Sequence, residues 1–426
     1  MTDATQPKAD NAGSVLAPLR RPRLRRMVFA QFLAELGDGI SLVALPLYVW
    51  ARTGSEVWTA LTFGIELSLG VVFSIVGGVL ADAFDRQRVL LVSYVVRGTL
   101  LVGAFAVDPL LAAVTLGVSA RALAMVDNPS FDALIPGQAD GDLQQVVALR
   151  RLIQAVSITI GPGVGALAVW LIGPRPSLLL NAITFLIAFI ILVSVRRLDA
   201  TYAERRLARE GSSWGATISE LVGGMGVTLR TPGVRRLVAY LTLVMATVGL
   251  LMASAVVYYE SELDAADYWY GLAIAAFGVG SALGLGIAGS RNLRWPLPRI
   301  IVVATPLYAV ACAIGGAVEW PAVLAISWFI WGLLLGPEAV ASETFFISRI
   351  TEAERGRAFA GLGLANSLGM AIGSLSAAPL LGAFTARTVI LGTGVVVFSA
   401  ILIWIRPALE GARWPGTEPV IAIDDA

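Results

Sequence analysis

Nearly uncharged apolar stretches of about twenty residues recur along this chain, each long enough to cross the ~30 Å hydrocarbon core of a bilayer as a helix. That recurrence constrains the fold more than any motif. In lipid every backbone amide must be satisfied by the protein itself, so only helices or closed barrels span, and runs of this length are helices. The expected spans are Met27–Ala51, Val57–Ala81, Val89–Val107, Leu110–Pro129, Val146–Ile172 and Leu178–Val195, then Leu237–Tyr258, Tyr268–Gly289, Ile300–Val318, Ala322–Phe346, Ala358–Phe384 and Thr388–Ile405. The expectation is an all-α membrane protein with about twelve transmembrane helices in two pseudo-symmetric six-helix bundles.

The polar intervals divide the chain. Residues 1–26 form a cytoplasmic tail, 27–195 an N-terminal bundle, 196–236 a cytoplasmic linker with an amphipathic segment around Trp214 and Leu221, 237–405 a C-terminal bundle, and 406–426 a second cytoplasmic tail. Met27–Ala51 follows Arg20, Arg21, Arg23, Arg25 and Arg26 but lacks a small-residue cleavage site, so it reads as a retained first span. Arginine sets the orientation, because basic residues collect in cytoplasmic loops. With both termini inside, the inner loops hold Arg86, Arg88, Arg150, Arg151, Arg196, Arg197, Arg291, Arg294, Arg349, Arg355 and Arg357, and the outer loops only Arg52, Arg175 and Arg387. Tyr258, Tyr259, Tyr268, Trp269 and Tyr270 then fall at the outer interface and read as an aromatic belt. A weak internal repeat aligns Gly78–Arg86 with Gly286–Arg294, as duplicated halves around a midplane site would.

Composition removes whole classes of chemistry. Of 426 residues, 57% are hydrophobic and 14% charged, against roughly 25% charged in a soluble domain. With no histidine there is no Ser/His/Asp triad, HExxH zinc site or imidazole relay. The single cysteine, Cys312, allows no intrachain disulfide and no thiolate cluster. The only lysine, Lys8, follows no glycine-rich loop, so no ATP cradle is expected. A net charge of +1 gives no reason to expect nucleic acid. No cofactor or metal is implied, and the chain is not expected to be an enzyme.

Ionisable residues at membrane depth are costly and are functional candidates by default. Gln31, Glu35 and Asp38 share one face of the first span. Asp38 and Arg121 each lie about ten residues from the inner end of their spans, ~15 Å deep, which makes them a candidate pair. Opening such a site to water would move Asp38 between charged and neutral forms and couple a proton to a cation; alternatively the pair locks helix one on helix four. Glu66, Arg97 and Asp127 also lie within spans. Glu338 follows Gly336-Pro337, a step able to break the helix and bring a second acid to the cavity, or to be capped by it. Trp328 and Trp331 are either flat walls of a substrate cavity or core. Gly161, Pro162 and Gly165 make a bend that serves as a gate, or a packing groove.

Gly78, Asp82, Asp85, Arg86 and Arg88 resemble the GxxxD(R/K)xG(R/K)x(R/K) loop of the major facilitator superfamily, with Ala83 and Asp85 in place of a basic residue and glycine. Ala34-Glu35-Leu36-Gly37-Asp38-Gly39-Ile40-Ser41 is similar to the first span of its drug/proton antiporter branch, among Tap-like, macrolide-efflux and enterobactin-exporter-like bacterial pumps. The resemblance implies the major facilitator fold, with Asp82 and Arg86 as gate contacts. It also implies an antiporter-like bend at Gly161, Pro162 and Gly165, and Arg121 at a proton-relay position.

The expected function is proton-coupled efflux of amphiphilic drugs or natural products by alternating access in a bacterial plasma membrane. Its partners would be the small-molecule substrate, protons and the bilayer, and the chain would act as a monomer. Asp38, Glu35, Arg121 and Glu338 are the proton-coupling candidates; Gln31, Glu66, Trp328 and Trp331 are the cavity candidates. A dedicated exporter of one metabolite or siderophore, and a proton-coupled importer, are the alternatives.

Overall fold

A computed structural model describes residues 16–139, 143–195, 198, 223–288 and 297–400, with the side chains of Asp82, Pro232, Leu297, Pro298 and Ala353 left aside. Its helices are α1 Pro22–Thr53, α2 Glu56–Ala83, α3 Arg86–Ala106, α4 Leu110–Ala122, α5 Ala124–Asp132, α6 Leu143–Ile172 and α7 Pro174–Val193. A short helix α8 covers 223–230. The series continues with α9 Pro232–Val257, α10 Tyr268–Ala288, α11 Leu297–Ala317, α12 Pro321–Arg349, α13 Arg355–Ala383 and α14 Ala386–Ala400. Among the described residues, 11 helical stretches are long and apolar enough to cross a membrane, and Ala386–Ala400 is a shorter apolar helix where the last span is expected.

Local chemistry sets the ends. Proline opens α1, α7, α9 and α12, where its missing amide costs nothing and its fixed φ is already helical. Gly54 ends α1 in the left-handed region at φ 56, and Ser55 then accepts from the Trp58 amide to start α2. The fourth span is interrupted at Leu123, between α4 and α5. The expected linker is trimmed at its end, because α9 begins at Pro232; most of it, including Trp214 and Leu221, lies outside the described residues. So does most of the second copy of the repeat, from Gly289 on.

The two bundles share one packing scheme. In the first, α1 packs on α6 and α7, α3 on α7 and on α4, and α2 on α4 and α5. The second repeats this: α9 packs on α13 and α14, α11 on α14 and on α12, and α10 on α12. The halves meet mainly through α2 against α13 and α6 against α10. Small residues make these seams, since lipid supplies no hydrophobic drive between helices and close backbone approach must do the work. Gly280, Gly284, Gly332 and Gly336 join α10 to α12, and Gly249, Gly369 and Gly373 join α9 to α13.

Two sequence expectations are corrected here. Gly336-Pro337 does not break its helix: α12 runs unbroken through it, and Gly336 lies flush on the backbone of Gly284 and Leu285. The aromatic belt is mostly interior. Tyr258, Tyr259 and Tyr270 are buried, and the hydroxyls of Tyr258 and Tyr259 donate to the carbonyls of Gly316 and Pro321, which leaves Tyr268 and Trp269 partly exposed.

Candidate functional site

Between the bundles lies a cavity of about 460 Å³, within the size range of small-molecule sites. Its charged wall comes from the first bundle: Gln31, Glu35 and Asp38 on α1, Glu66 on α2, Arg121 on α4 and Asp127 on α5. Met252 on α9, Ile274 and Phe277 on α10, and Ser367 and Met370 on α13 form the facing wall. The lining lies at mid-depth and toward the end carrying the N-terminus. On the far side the bundles are in contact: Phe63 meets Tyr270 edge to face at 6.4 Å, Leu375 lies against Gly64, and Ala166 against Gly271.

The Gly37-Asp38-Gly39 segment places the acid. A Cβ at Gly37 would collide with Asn181 and Thr184 of α7, and one at Gly39 would stand 2.5 Å from the Gly161 Cα of α6. The two glycines therefore let α6 and α7 close on α1, and the intervening aspartate projects toward α3 and α4. Asn181 adds a 2.6 Å bond to the Ser41 hydroxyl that holds the same seam. The Gly161, Pro162 and Gly165 cluster is thus a packing groove: α6 is helical throughout, Gly161 and Gly165 receive α1, and Pro162 lines the cavity. Its use as a moving bend is a separate matter.

Asp38 pairs with Arg97 of α3, not with the Arg121 guanidinium. Arg97 is buried at 1% exposure; it also pairs with Asp127 at 2.5 Å and donates through Nε to the Ala120 carbonyl at 2.8 Å, beside the interruption at Leu123. Its guanidinium lies 4.2 Å from the Phe185 ring centre. Arg121 instead pairs with Glu66 at 2.7 Å and reaches only the backbone carbonyl of Asp38, at 2.5 Å. The expected Asp38–Arg121 ion pair is corrected accordingly. Both residues do sit at one depth, but Arg97 approaches Asp38 from the neighbouring helix.

A second cluster lies nearer the N-terminal end. Gln31 donates to Glu35 at 3.1 Å and accepts from the Tyr94 hydroxyl at 2.8 Å. Glu35 pairs with Arg150 at 2.6 Å, and Arg150 also holds Asp132 at 2.9 Å and Asn128 at 3.0 Å. Arg150 is therefore not a loop residue; it lies inside α6, 5% exposed. Three guanidiniums, Arg97, Arg121 and Arg150, face four largely enclosed carboxylates, Glu35, Asp38, Glu66 and Asp127, and Asp132 is 55% exposed. Asp38 is the most accessible of the four, at 22%.

The second bundle departs from expectation. Glu338 is fully buried, accepts from the Tyr308 hydroxyl and is absent from the cavity wall. Trp328 and Trp331 are core residues, 2% and 3% exposed, set behind Met252 and Phe277, with Trp331 packed 5.9 Å from Tyr308. At the loop between α2 and α3, Asp85 caps α3 by accepting from the Arg88 amide at 3.1 Å, and Arg86 donates to the Ala133 carbonyl at 2.6 Å. Gly78 has open space beside it, and the Asp82 side chain lies outside the described residues.

Sequence reasoning passed over the central role of Arg97 and the buried position of Arg150. The signal was present for Arg97, a lone guanidinium in the middle of an apolar run. Arg150 was hidden by its place at the edge of its span.

A family model described as Major Facilitator Superfamily matches residues 27–263 and 237–419. The multidrug efflux pump Tap of Mycobacterium tuberculosis is 24% identical over 409 residues, 90% of this chain and 93% of its own. That of Mycolicibacterium fortuitum is 24% identical over 331 residues, 71% of this chain and 79% of its own. Among solved structures, the nucleoside transporter NupG superposes with a TM-score of 0.67 at 14% identity, covering 90% of this chain and 100% of that one. A POT family transporter in complex with 5-aminolevulinic acid gives 0.71 at 12% identity, covering 91% and 96%. These structural likenesses concern the fold.

Proposed function

The chain belongs to the major facilitator superfamily, and from that premise we propose that it exports amphiphilic, cation-bearing small molecules in exchange for protons. The observation that carries this reading is that, among the described residues, the largely enclosed carboxylates around the cavity outnumber the guanidiniums by one. Arginine keeps its charge in proteins, so a surplus carboxylate on a wall with little access to water takes a proton or a cationic ligand as its counter-charge. Binding one excludes the other, and alternating exposure of the cavity to the two sides turns that exclusion into exchange. Asp38 is the acid that does this, since it is the most accessible carboxylate and lies on the cavity wall. Arg97 holds it in place, while Arg121 and Glu66 form a neighbouring pair and Glu35 is held by Arg150.

The charge-free wall suits varied apolar bodies. Met252 and Met370 are unbranched and polarisable, and Phe277 offers a flat face. Similarity to multidrug efflux pumps over most of the chain supports the outward direction. In this reading the cavity is loaded from the cytoplasm, both termini are cytoplasmic, and the membrane is a bacterial inner membrane.

The test uses the purified chain in liposomes held acidic inside, with a lipophilic cation added outside and internal pH followed. Proton release on addition is expected from the native chain. Asp38→Asn keeps an oxygen toward Arg97 but removes the surplus charge, so it is expected to fold, to allow downhill flux and to release no protons. Active transport by Asp38→Asn would sink the assignment.

A further inference from the structure

Beyond the central cavity, the face of α1 turned away from it, together with α6 and α7, encloses a concave apolar groove of about 700 Å³. Phe29, Phe32, Leu152 and Ile191 are among its walls, and Arg25 and Arg26 stand at its N-terminal rim. Phe29 and Phe32 stack at 6.3 Å, and Phe29 and Leu152 are 48% and 41% exposed. Arg25 and Arg26 are exposed, with no acidic partner among the described residues; Arg26 makes one long bond, 3.5 Å, to the Ser194 carbonyl. By contrast, Arg21 beside them is spent on the carbonyls of Gln138 and Ala139, at 3.2 and 2.7 Å.

We infer that this groove binds an anionic phospholipid of the leaflet at the N-terminal end. The vertical order of the groove fits that occupant. Arg25 lies in the first turn of α1, at the level of headgroups, and Phe32 is seven residues further along, ~10 Å deeper in the acyl region. Two guanidiniums fit a phosphodiester by charge and by bidentate hydrogen bonding. The concave apolar wall beneath them takes the upper acyl chains. Basic pockets between transmembrane helices recognise anionic headgroups on this same physical basis. Because α1 also carries Asp38 on a different face, an occupied groove braces the helix that holds the proton site. The inference does not depend on what the cavity transports.

Native mass spectrometry of the full chain, titrated with phosphatidylglycerol against phosphatidylcholine, reads the site directly. A basic residue near an anionic surface is worth about fivefold in affinity, so the two together are expected to give a preference of roughly ten- to thirtyfold for phosphatidylglycerol. Arg25→Gln/Arg26→Gln is expected to lose it while keeping the native melting temperature, and Arg52→Gln, at the other end of α1, is expected to keep it. Equal binding of the two lipids by the native chain, or an undiminished preference in the double variant, would overturn the inference. A photoreactive side chain replacing Phe29 should yield a lipid adduct by mass. A crosslink within the chain or to a second copy would instead show another occupant and overturn it.

Discussion

The two bundles are built on one packing scheme and differ almost completely in chemistry. The first places Arg97, Arg121 and Arg150 among acids from three helices, and the second, among the described residues, sets one buried acid, Glu338, among tyrosines behind an apolar wall. Packing by small residues can be duplicated without a charge network, because backbone approach and side-chain titration are independent properties of a helix. Under the proposed function this contrast is a division of labour: the first bundle would hold the proton and the ligand's charge, and the second would accommodate its apolar body.

Breaking the network at its centre should have the largest effect. Arg97→Leu leaves Asp38 and Asp127 without their shared cation, and stranding a buried charge costs about 3–5 kcal/mol. The expected outcome is a sharply lower melting temperature in detergent, partly restored by adding Asp127→Leu; an unchanged melting temperature would deny the network its structural weight. Next comes the seam that aims Asp38. Gly39→Val drives a side chain into Gly161, an overpacking cost of about 1–3 kcal/mol, with α1 displaced from α6. Thermal unfolding together with a disulfide-trapping distance between the two helices would check it.

Asp38→Asn sharpens the comparison functionally. Uphill export should fall by at least about tenfold, which is ~1.4 kcal/mol of coupling, with little change in stability. The smallest effect belongs to the second bundle. Glu338→Gln retains an oxygen for the Tyr308 hydroxyl, so proton-coupled flux should stay within about twofold of native. A loss of coupling there as large as that of Asp38→Asn would dissolve the contrast between the halves.

Much of the fold was legible in the sequence because the bilayer imposes its demand locally. Each span must be long, apolar and self-bonded, so the expected limits of α6 and α10 fall within a few residues of those observed. The stripe of Gln31, Glu35 and Asp38 was legible for a similar reason, since helical spacing alone puts them on one face, and all three line the cavity. The partners of the charges were not. Asp38 and Arg121 agree in depth, but depth is one coordinate, and the rotation of α3 puts Arg97 nearer to the carboxylate. Glu338 failed the same way: its helix faces α11 and Tyr308 at that level, not the cavity.

By itself, then, the sequence determined that this chain spans a bilayer about twelve times, that it lacks imidazole and thiolate-cluster chemistry, and that several acids and arginines are held at membrane depth. Only the tertiary structure decided which acid meets which arginine, which of them face the cavity, and that all the charge lies on one wall. The physical reason is range. Hydrophobic length and helical periodicity are properties of one segment, whereas an ion pair depends on the rotation and closeness of two helices, set here by Gly37 and Gly39 beside Asp38 meeting residues of α6 and α7 that are distant in the chain.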